Sequence, residues 1–279
     1  MTNTKDLIKK HNVLIKKKYG QNFLTDQNII KRIIDVSMVD DDTHVVEIGP
    51  GLGALSEHLI DKVKSLVAYE IDGDLINPLQ RIFSKSNNVA LYHKDFLKTD
   101  FKEDLKALPF IDGKVTVVAN LPYYITTPIL FKCLDYTSLI DKMVFMTQYE
   151  VAKRLTASTN TKDYNALSVT MHYLCHASFA FKVPKDVFIP TPNVDSAVIT
   201  LDVKKNRPNI DEAFFFDFVK TSFKQKRKTL VNNLSKGYQI DKATIIQFLD
   251  TFKLSSTVRA EAINVDTFVK LSEQFKVFL

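Results

Sequence analysis

Several residue types and sequence features are scarce in this chain of 279 residues. It has no tryptophan and two cysteines, Cys133 and Cys175, which lie far apart without a CxxC pair, so neither a disulfide framework nor a zinc site is indicated. No segment approaches the length needed to cross a bilayer, and residues 1–20 contain no apolar stretch followed by a small-residue cleavage site. We therefore expect a soluble, cytoplasmic protein that uses no metal and has no membrane partner.

The rest of the composition is that of an ordinary globular protein, with 45% hydrophobic and 25% charged residues. Positive charge is concentrated in two places: residues 1–20 carry a net charge of +5 and residues 220–236 one of +6, whereas the whole chain carries +6. Lys and Arg clusters that neutralise phosphates release condensed counterions, so this pattern favours a polyanionic partner. Either cluster alone is equally consistent with a solvated surface.

The order of apolar patterns along the chain predicts alternating strands and helices. Helical spacing in "NIIKRIIDVSMV" is followed by the strand, turn and helix of "HVVEIGPGLGALSEHLI" and by the strand "SLVAYEID". The segment "DLINPLQRIF" predicts a helix that Pro78 breaks or resets, and "VALYHKD" and "KVTVVA" predict further strands. Such alternation is typical of a parallel sheet covered on both faces, which predicts a Rossmann-like α/β fold.

The pattern changes near Leu201. The segments "EAFFFDFVKTSFKQKRKTLVNNL", "KATIIQFLDTF" and "VDTFVKLSEQF" all have helical spacing. We therefore predict two domains: an α/β domain over residues 1–204, which includes the basic N-terminal arm, and a small all-helical domain over residues 205–279.

A glycine-rich turn follows the first predicted strand of the sheet. In "VVEIGPGLGALS" the residues Gly49, Gly51 and Gly53 lie between a strand and a helix, where glycine lets the backbone approach a ligand and leaves the helix N-terminus open. Open α/β sheets bind ligands at such a position. The stretch also fits the dinucleotide pattern G-x-G-x-x-G/A through Gly49, Gly51 and Ala54, so an NAD-dependent oxidoreductase is one alternative.

Acidic residues occur at the turn and after the next two strands. Glu70 lies 19 residues after Gly51, where a carboxylate can bind both ribose hydroxyls of NAD or of S-adenosylmethionine. Asp95, at the end of "LYHKD", can accept from the exocyclic amine of an adenine. Glu47 flanks the turn and residues 47–61 contain no Lys or Arg, which suits a sulfonium cation better than a diphosphate. Glu70 and Asp95 are equally consistent with helix caps or solvated loop acids.

The motif "NLPYY" at residues 120–124 follows the apolar strand "KVTVVA". An adenine amine is a poor nucleophile because its lone pair is delocalised into the ring, and acceptors for its hydrogens favour a tetrahedral nitrogen. The Asn120 oxygen and the Leu121 carbonyl are candidates for these acceptors, since Pro122 holds Leu121 in an extended conformation. Tyr123 offers a face on which a flipped base stacks, a contact worth roughly 1–3 kcal/mol.

A second segment, "VFIPTPNVDSAV", has two interpretations. Phe188 either anchors a stiff proline-containing loop to the core or presents its ring to the same base. Because the chain also contains the Asn-x-Pro-Tyr motif, we favour the stacking role.

Five motifs, in this order, resemble the ribosomal RNA adenine N6,N6-dimethyltransferase family: "GQNFLTD", "EIGPGLGALS", "NLPYYITTPI", "FIPTPNVDSAV" and "SFKQKRKTLVNNL". Together they cover most of the chain. Leu121, "KQKRKTLVNNL" and "VRAEAINVDTFVKL" are similar to the small-subunit branch, which dimethylates two adjacent adenosines in the hairpin loop near the 3′ end of 16S rRNA. The sister branch, which methylates one adenosine of 23S rRNA, is the alternative.

The resemblance implies a role for each candidate site residue. S-adenosylmethionine is the implied methyl donor, residues 1–204 the methyltransferase domain and residues 205–279 an rRNA-binding domain. The residues implied to position the target adenine are Asn120, Leu121, Tyr123 and Phe188. Those implied to contact the cofactor are Gln21, Asn22, Leu24, Glu47, Gly49, Gly51, Leu52, Gly53, Glu70, Ile71, Asp95 and Asn120. Those implied to bind rRNA are Lys224, Lys226, Arg227 and Lys228.

Two positions depart from the family pattern. Tyr149 stands where Lys is common, and Lys226 replaces an Arg that usually precedes Arg227. Lys keeps the charge but lacks the bidentate guanidinium, so we expect rRNA affinity or register to differ while methyl transfer does not. The implied partner is 16S rRNA in the 30S subunit or its precursor, bound by a monomer with a role in subunit biogenesis. A non-enzymatic ribosome-assembly factor is the remaining alternative.

Overall fold

The computed structural model describes residues 15, 16, 19–84, 86–106 and 113–279. Most of the basic segment over residues 1–20 lies outside the described residues. The chain forms two compact units: the described residues up to Ala152 together with Ser178–Lys205, and Lys153–Ala177 together with Asn206–Leu279. The chain passes from the first unit to the second for the last time between Lys205 and Asn206, one residue after the expected domain boundary between residues 204 and 205. Residues 153–177 group with the later helices because Tyr164 and Tyr173 pack against phenylalanines of that unit.

A seven-stranded sheet organises the α/β part of the chain. Its strands are β2 (Thr43–Ile48), β3 (Ser65–Glu70), β4 (Val89–His93), β5 (Lys114–Asn120), β6 (Lys142–Gln148), β7 (Cys175–Val183) and β9 (Ser196–Val203). Their order is β4-β3-β2-β5-β6-β9-β7. The pairs β2–β3, β2–β5, β3–β4 and β5–β6 are parallel, and β9 is antiparallel to β6. The predicted Rossmann-like α/β fold is therefore confirmed.

A separate two-stranded sheet joins the N-terminal segment to the proline-containing loop. It consists of β1 (Phe23–Leu24) and β8 (Phe188–Ile189), which pair antiparallel with Leu24 opposite Phe188. Phe23, Leu24 and Phe188 are all buried in the same hydrophobic cluster as the central strands. This pairing fixes the position of the residues that immediately precede β1.

Among the described residues of the first unit, the strands are accompanied by the helices α1 (Gln27–Ser37), α2 (Ser56–Leu59), α3 (Gly73–Phe83), α4 (Phe101–Lys106) and α5 (Thr126–Leu134). The start of α1 is set by Asp26, whose carboxylate accepts from the backbone N–H groups of Asn28 at 2.8 Å and Ile29 at 3.1 Å. The helix buries four isoleucines on one face. Each contributes about 1.5–3 kcal/mol relative to an exposed position.

Pro78 does not interrupt α3, contrary to the expectation that it breaks or resets the helix. The helix runs through Pro78 from Gly73 to Phe83. A proline removes one backbone hydrogen bond from a helix interior. The burial of Pro78 with Leu75, Leu79 and Phe83 on one face offsets that cost.

The second unit is helical. Following α6 (Tyr149–Leu155), which begins in the first unit, it contains α7 (Ala166–Leu174), α8 (Glu212–Ser222), α9 (Leu230–Tyr238), α10 (Lys242–Thr251) and α11 (Val265–Phe275). Its core is aromatic, and the ring centroids of Phe218 and Phe248 each lie 5.2 Å from that of Phe275. The helical content predicted for the C-terminal part is thus present.

The helical pattern over residues 212–234 is broken in the structure. α8 ends at Ser222, and α9 begins only at Leu230 with Thr229 as its N-cap. The basic run "KQKRK" between them has no apolar side chain to bury, and its like charges repel at helical spacing. Buried Asn233 stabilises this break, because its Nδ2 donates to the carbonyls of Ser222 at 2.6 Å and Gln225 at 3.3 Å.

Candidate active site

The candidate active site lies at the C-terminal edge of three neighbouring strands. Strand β2 ends at Ile48, β3 at Glu70 and β5 at Asn120, and the register pairs Ile48 with Tyr69 on one side and with Ala119 on the other. Open α/β sheets bind ligands at this edge. The predicted site residues that line the pocket there are Gln21, Asn22, Leu24, Glu47, Gly49, Gly51, Leu52, Glu70, Ile71, Asn120, Leu121 and Tyr123.

The glycine turn forms one wall of this pocket. Gly49 has a φ of +69° and Gly51 one of +61°, values that an L-residue adopts only with strain. A Cβ added to Gly49 meets no atom within 4 Å, so the turn leaves open space on its pocket side. A ligand can therefore approach the backbone here as closely as the sequence pattern predicts.

Gly53 has a different surrounding. It does not line the pocket, and a Cβ added at this position lies 2.6 Å from Cδ1 of Ile82 on α3. The structure therefore shows Gly53 as a close-packing position between the turn and α3. Its predicted contact with the cofactor stays a prediction.

Glu70 connects the end of β3 to the glycine turn. Its Oε2 accepts from the Gly51 N–H at 3.1 Å and its Oε1 from the Asp72 N–H at 2.8 Å. The side chain is 4% exposed, and this burial raises the pKa of its carboxyl. Each carboxylate oxygen has two acceptor positions, so both can also accept from a ribose hydroxyl. Glu70 is not a helix cap; that role belongs to Asp72, which caps α3.

Glu47 is a second buried carboxyl on the pocket wall. It is 1% exposed, and its Oε2 accepts from the Ser56 hydroxyl at 2.5 Å. Burial, with a smaller contribution from the charge of Glu70, raises the pKa of Glu47 to about 7. Among the described residues that line the pocket there is no Lys or Arg. A cation in the pocket therefore favours the ionised form of both carboxyls.

Asp95 is not among the residues that line the pocket. Its carboxylate accepts from the Leu97 N–H at 3.0 Å and caps the short helix Phe96–Lys98, the alternative that the sequence left open. Asp95 follows β4, the strand at the outer edge of the sheet, two strands away from β2. Its role as an acceptor for the adenine amine stays a prediction.

The segment that precedes β1 closes the pocket and is tied to the start of α3. Gln21 Nε2 donates to Asp72 Oδ2 at 2.7 Å, and Gln21 Oε1 accepts from the Lys16 N–H at 2.8 Å. The Lys16 ammonium lies 2.5 Å from Asp72 and 2.6 Å from Asp74. Sequence reasoning missed Asp72 and Lys16. The two residues are 56 positions apart in the sequence, so no local pattern predicts their pairing. The acidic segment "EIDGD" at the end of β3 indicates only that a cation could bind there.

The exit from β5 brings the side chains of the "NLPYY" motif to the pocket. Asn120 Nδ2 donates to the Asn22 carbonyl at 3.0 Å, which turns the amide oxygen away from that carbonyl. Leu121 is buried, and its N–H donates to Met146 on the adjacent strand. The Tyr123 hydroxyl is hydrogen-bonded to Ser196 Oγ at 2.8 Å, and burial raises the pKa of Tyr123. Tyr124, in contrast, is 58% exposed.

Phe188 does not present its ring as an open stacking surface. It is 2% exposed, does not line the pocket and belongs to the hydrophobic core cluster. Its pairing with Leu24 places it in that core, as the loop-anchoring interpretation expects, and its stacking role stays a prediction.

The candidate rRNA-binding residues lie in the second unit, in the break between α8 and α9. Lys224, Lys226, Arg227 and Lys228 are all exposed. Lys226 Nζ donates to the Lys162 carbonyl at 2.7 Å. Their exposure is compatible with phosphate contacts.

Three further observations concern the described part of the chain. No cluster of three or more His, Cys, Asp or Glu side chains suited to a metal ion occurs among those residues. Within the same ranges, every helix is too short or too polar to span a bilayer. Cys133 and Cys175 are buried free thiols.

The fold is that of a Rossmann-like α/β protein, with a pocket at the edge of the sheet where such proteins bind ligands. Residues 12–276 match the model of the family described as ribosomal RNA adenine dimethylase. The chain belongs to this family, and it is therefore an S-adenosylmethionine-dependent methyltransferase.

Relatives and solved structures agree with this assignment. The chain is 41% identical over 280 residues to the ribosomal RNA small subunit methyltransferase A of Streptococcus pneumoniae, covering 98% of this chain and 96% of the relative. It is 43% identical to that of Bacillus pumilus, covering 96% and 94%. The crystal structure of the 23S rRNA methyltransferase ErmE is similar with a TM-score of 0.71 and 26% identity, covering 91% of this chain and all of that one. A dimethyladenosine transferase from Plasmodium falciparum shares the fold, with a TM-score of 0.79 and 23% identity over 91% and 98%.

Proposed function

We propose that this protein transfers methyl groups from S-adenosylmethionine to N6 of two adjacent adenosines in the hairpin loop near the 3′ end of 16S rRNA. The main support for the proposal is that Asn120 and the glycine turn line the same pocket. A small-subunit target is favoured over a 23S target because the relatives at 41% and 43% identity are named for the small subunit.

The pocket suits S-adenosylmethionine better than a dinucleotide. Glu70 offers two carboxylate oxygens for ribose hydroxyls, and Gly49 leaves room for a close approach to the backbone. The buried carboxyls of Glu47 and Glu70, with no Lys or Arg among the described residues of the wall, favour a sulfonium and disfavour a diphosphate. The bound cofactor supplies an electrophilic methyl group. The same charge pattern argues against the NAD-dependent oxidoreductase.

Residues of the "NLPYY" motif position the target adenine. The Asn120 oxygen and the Leu121 carbonyl accept from the two N6 hydrogens of adenine, which favours a tetrahedral nitrogen with its lone pair directed at the methyl group. The Tyr123 ring, held by its hydrogen bond to Ser196, supports the base. After transfer the nitrogen carries the positive charge and loses a proton to water, so no dedicated base or metal is needed. Catalysis rests on orientation and on hydrogen bonds that strengthen in the transition state.

Binding to the ribosomal particle involves the second unit. We propose that Lys224, Lys226, Arg227 and Lys228 contact rRNA phosphates, since they are exposed and consecutive or nearly so. The partner is 16S rRNA in the 30S subunit or its precursor. The protein acts as a cytoplasmic monomer and contributes to subunit biogenesis.

Replacement of Asn120 by Ala tests the assigned chemistry. We expect methyl transfer to 30S particles to fall by about 100-fold or more, because a preorganised acceptor is lost where charge develops. Binding to immature 30S particles is expected to be retained, whereas a purely non-enzymatic assembly factor predicts no dependence of function on Asn120. Asn28→Ala, an exposed amide on α1, is the matched control.

Mass spectrometry of 16S and 23S rRNA from cells that lack the protein identifies the target. We expect dimethyladenosine to disappear from 16S rRNA and to return with the wild-type gene but not with Asn120→Ala. Loss from 23S rRNA instead refutes the small-subunit target, and full methylation by Asn120→Ala refutes the role of Asn120.

A further inference from the structure

A second cavity lies beside the candidate active site in the first unit. It has a volume of about 320 Å³ and is lined by Gln148 at the end of β6, by Tyr149 and Glu150, by Lys185 and by residues 193–195. This volume falls within the range of about 300–1,000 Å³ that is typical of small-molecule sites. None of its lining residues belongs to the pocket around the glycine turn.

A series of contacts connects this cavity to Tyr123. The Tyr123 hydroxyl is hydrogen-bonded to Ser196, and Ser196 pairs with Gln148 in the ladder between β6 and β9. The Tyr149 N–H donates to the Asp195 carbonyl at 3.0 Å. Because β5 lies between β2 and β6 in the sheet, the glycine turn is on one side of the "NLPYY" motif and the cavity on the other.

The cavity contains the groups that recognise an unstacked nucleobase. The Tyr149 ring is partly exposed, with the Phe179 ring edge-on to it at 6.0 Å. Gln148 and Asn193 carry amide side chains, which provide both donors and acceptors for a base edge. Single-stranded RNA is recognised through this combination of aromatic stacking and polar contacts to base edges.

Charged side chains of both signs border the cavity: Glu150, Lys185 and Asp195 line it, and Lys182 forms an ion pair with Asp195. Asp195 Oδ2 lies 2.7 Å from Lys182 Nζ, and its Oδ1 accepts from the Lys185 N–H at 3.0 Å. The Lys182 ammonium also lies 5.2 Å from the centroid of the Tyr149 ring. Lys182 and Lys185 are exposed, so their ammonium groups can reach the phosphates that flank a bound base.

We propose that this cavity binds the nucleobase next to the target adenosine, an unstacked purine of the RNA substrate, with Tyr149 as its stacking residue. The proposal rests on the function proposed above and adds a substrate subsite to it. The substrate has two adjacent adenosines, so each has the other as a neighbour. A separate site for the neighbour holds the loop open while one adenine occupies the pocket beside Asn120.

The test uses 30S particles reconstituted with 16S rRNA in which one of the two adjacent adenosines is replaced by an abasic nucleotide. Initial rates of methyl transfer and equilibrium binding are measured for these particles and for intact ones. With the wild-type protein we expect the abasic nucleotide to raise the KM and the Kd for the particle about tenfold, the effect of one stacking contact. The KM for S-adenosylmethionine stays unchanged.

Variants of Tyr149 assign the effect to this residue. Tyr149→Ala is expected to raise the KM for intact particles about tenfold and to be insensitive to the abasic nucleotide, because both changes remove the same contact. Tyr149→Phe keeps the ring and is expected to retain the wild-type sensitivity. Phe131→Ala, which removes a 42% exposed aromatic ring on α5, is the control and should behave as the wild type.

Two outcomes overturn the proposal: equal binding of intact and abasic particles by the wild type, or additive effects of the abasic nucleotide and Tyr149→Ala. A wild-type protein that transfers no methyl group to intact particles refutes the proposed function instead. The binding comparison still decides the subsite in that case, because it requires no methyl transfer.

Discussion

The side-chain amide of Asn120 donates to the backbone carbonyl of Asn22 at 3.0 Å, so the residue proposed to position the target adenine also holds the segment that closes the pocket. The cavity behind this contact has a volume of about 100 Å³. Sites for ligands of nucleoside size or larger typically measure about 300–1,000 Å³. We therefore expect cofactor entry to displace residues 19–24 outward and to break the Asn120–Asn22 hydrogen bond.

Asn120→Asp tests this coupling. The substitution keeps an acceptor oxygen but places a second oxygen against the Asn22 carbonyl, where the two repel. We expect faster association and dissociation of S-adenosylhomocysteine in stopped-flow measurements, with a Kd raised about threefold to tenfold, because a hydrogen bond to a neutral partner contributes about 0.5–1.5 kcal/mol. Asn28→Asp is the control for the added charge, and unchanged rate constants in Asn120→Asp contradict the closure role of Asn120.

The pKa of Glu47 predicts how stability depends on pH. Burial raises this pKa from its ordinary value of 4.5 to about 7, so between these values the folded protein binds more protons than the unfolded one. The free energy of unfolding therefore falls as the pH rises from about 4.5 to 7, by about 3 kcal/mol. Glu47→Gln removes this contribution. Urea unfolding at pH 5 and pH 8 should show a larger loss of stability for the wild type than for the variant.

The same carboxyl should distinguish a cationic cofactor from a neutral one. Ionised Glu47 attracts a sulfonium, so we expect the affinity for S-adenosylmethionine relative to S-adenosylhomocysteine to rise as the pH increases through 7. Calorimetric titration of both ligands at several pH values measures this ratio. Glu70, whose pKa burial also raises, adds to the effect, and Glu47→Gln should reduce the slope. A ratio that does not change with pH contradicts the sulfonium assignment.

Gly49→Ala and Gly53→Ala should separate binding from stability. Both residues have positive φ, which costs an L-residue about 1–2 kcal/mol. At Gly49 the new methyl group enters the open space of the turn, so cofactor affinity should fall by more than about tenfold. At Gly53 it lies 2.6 Å from Cδ1 of Ile82, the end of a partly buried side chain that can shift, so the further cost falls on stability and is small.

Thermal unfolding and equilibrium cofactor binding, measured on both glycine variants, check this contrast. Gly53→Ala is expected to have the lower unfolding midpoint and Gly49→Ala the higher Kd. If Gly53→Ala has the larger effect on affinity, Gly53 contacts the cofactor, as the family resemblance implies.

The sequence by itself determined the fold class, the four strands β2, β3, β4 and β5, and the edge of the sheet at which the site lies. Local signals were sufficient here: apolar runs such as those of β2 and β5 form buried parallel strands, and glycines directly after a strand mark the turn. The motifs around Gly49, Glu70 and Asn120 then converge on one pocket because the carboxyl ends of parallel strands share an edge.

Only the tertiary structure decided how the remaining residues are used. Phe188 is buried because β8 pairs with β1, a contact between positions more than 160 residues apart that no local pattern encodes. Asp72 binds both Lys16 and Gln21, which are again distant in sequence and brought together only by the fold. The break after α8 likewise depends on a hydrogen bond from Asn233 to the Ser222 carbonyl. The roles of these side chains depend on long-range pairing and burial, which exist only in the packed fold. Strands and turns, in contrast, are predicted by the types of consecutive residues.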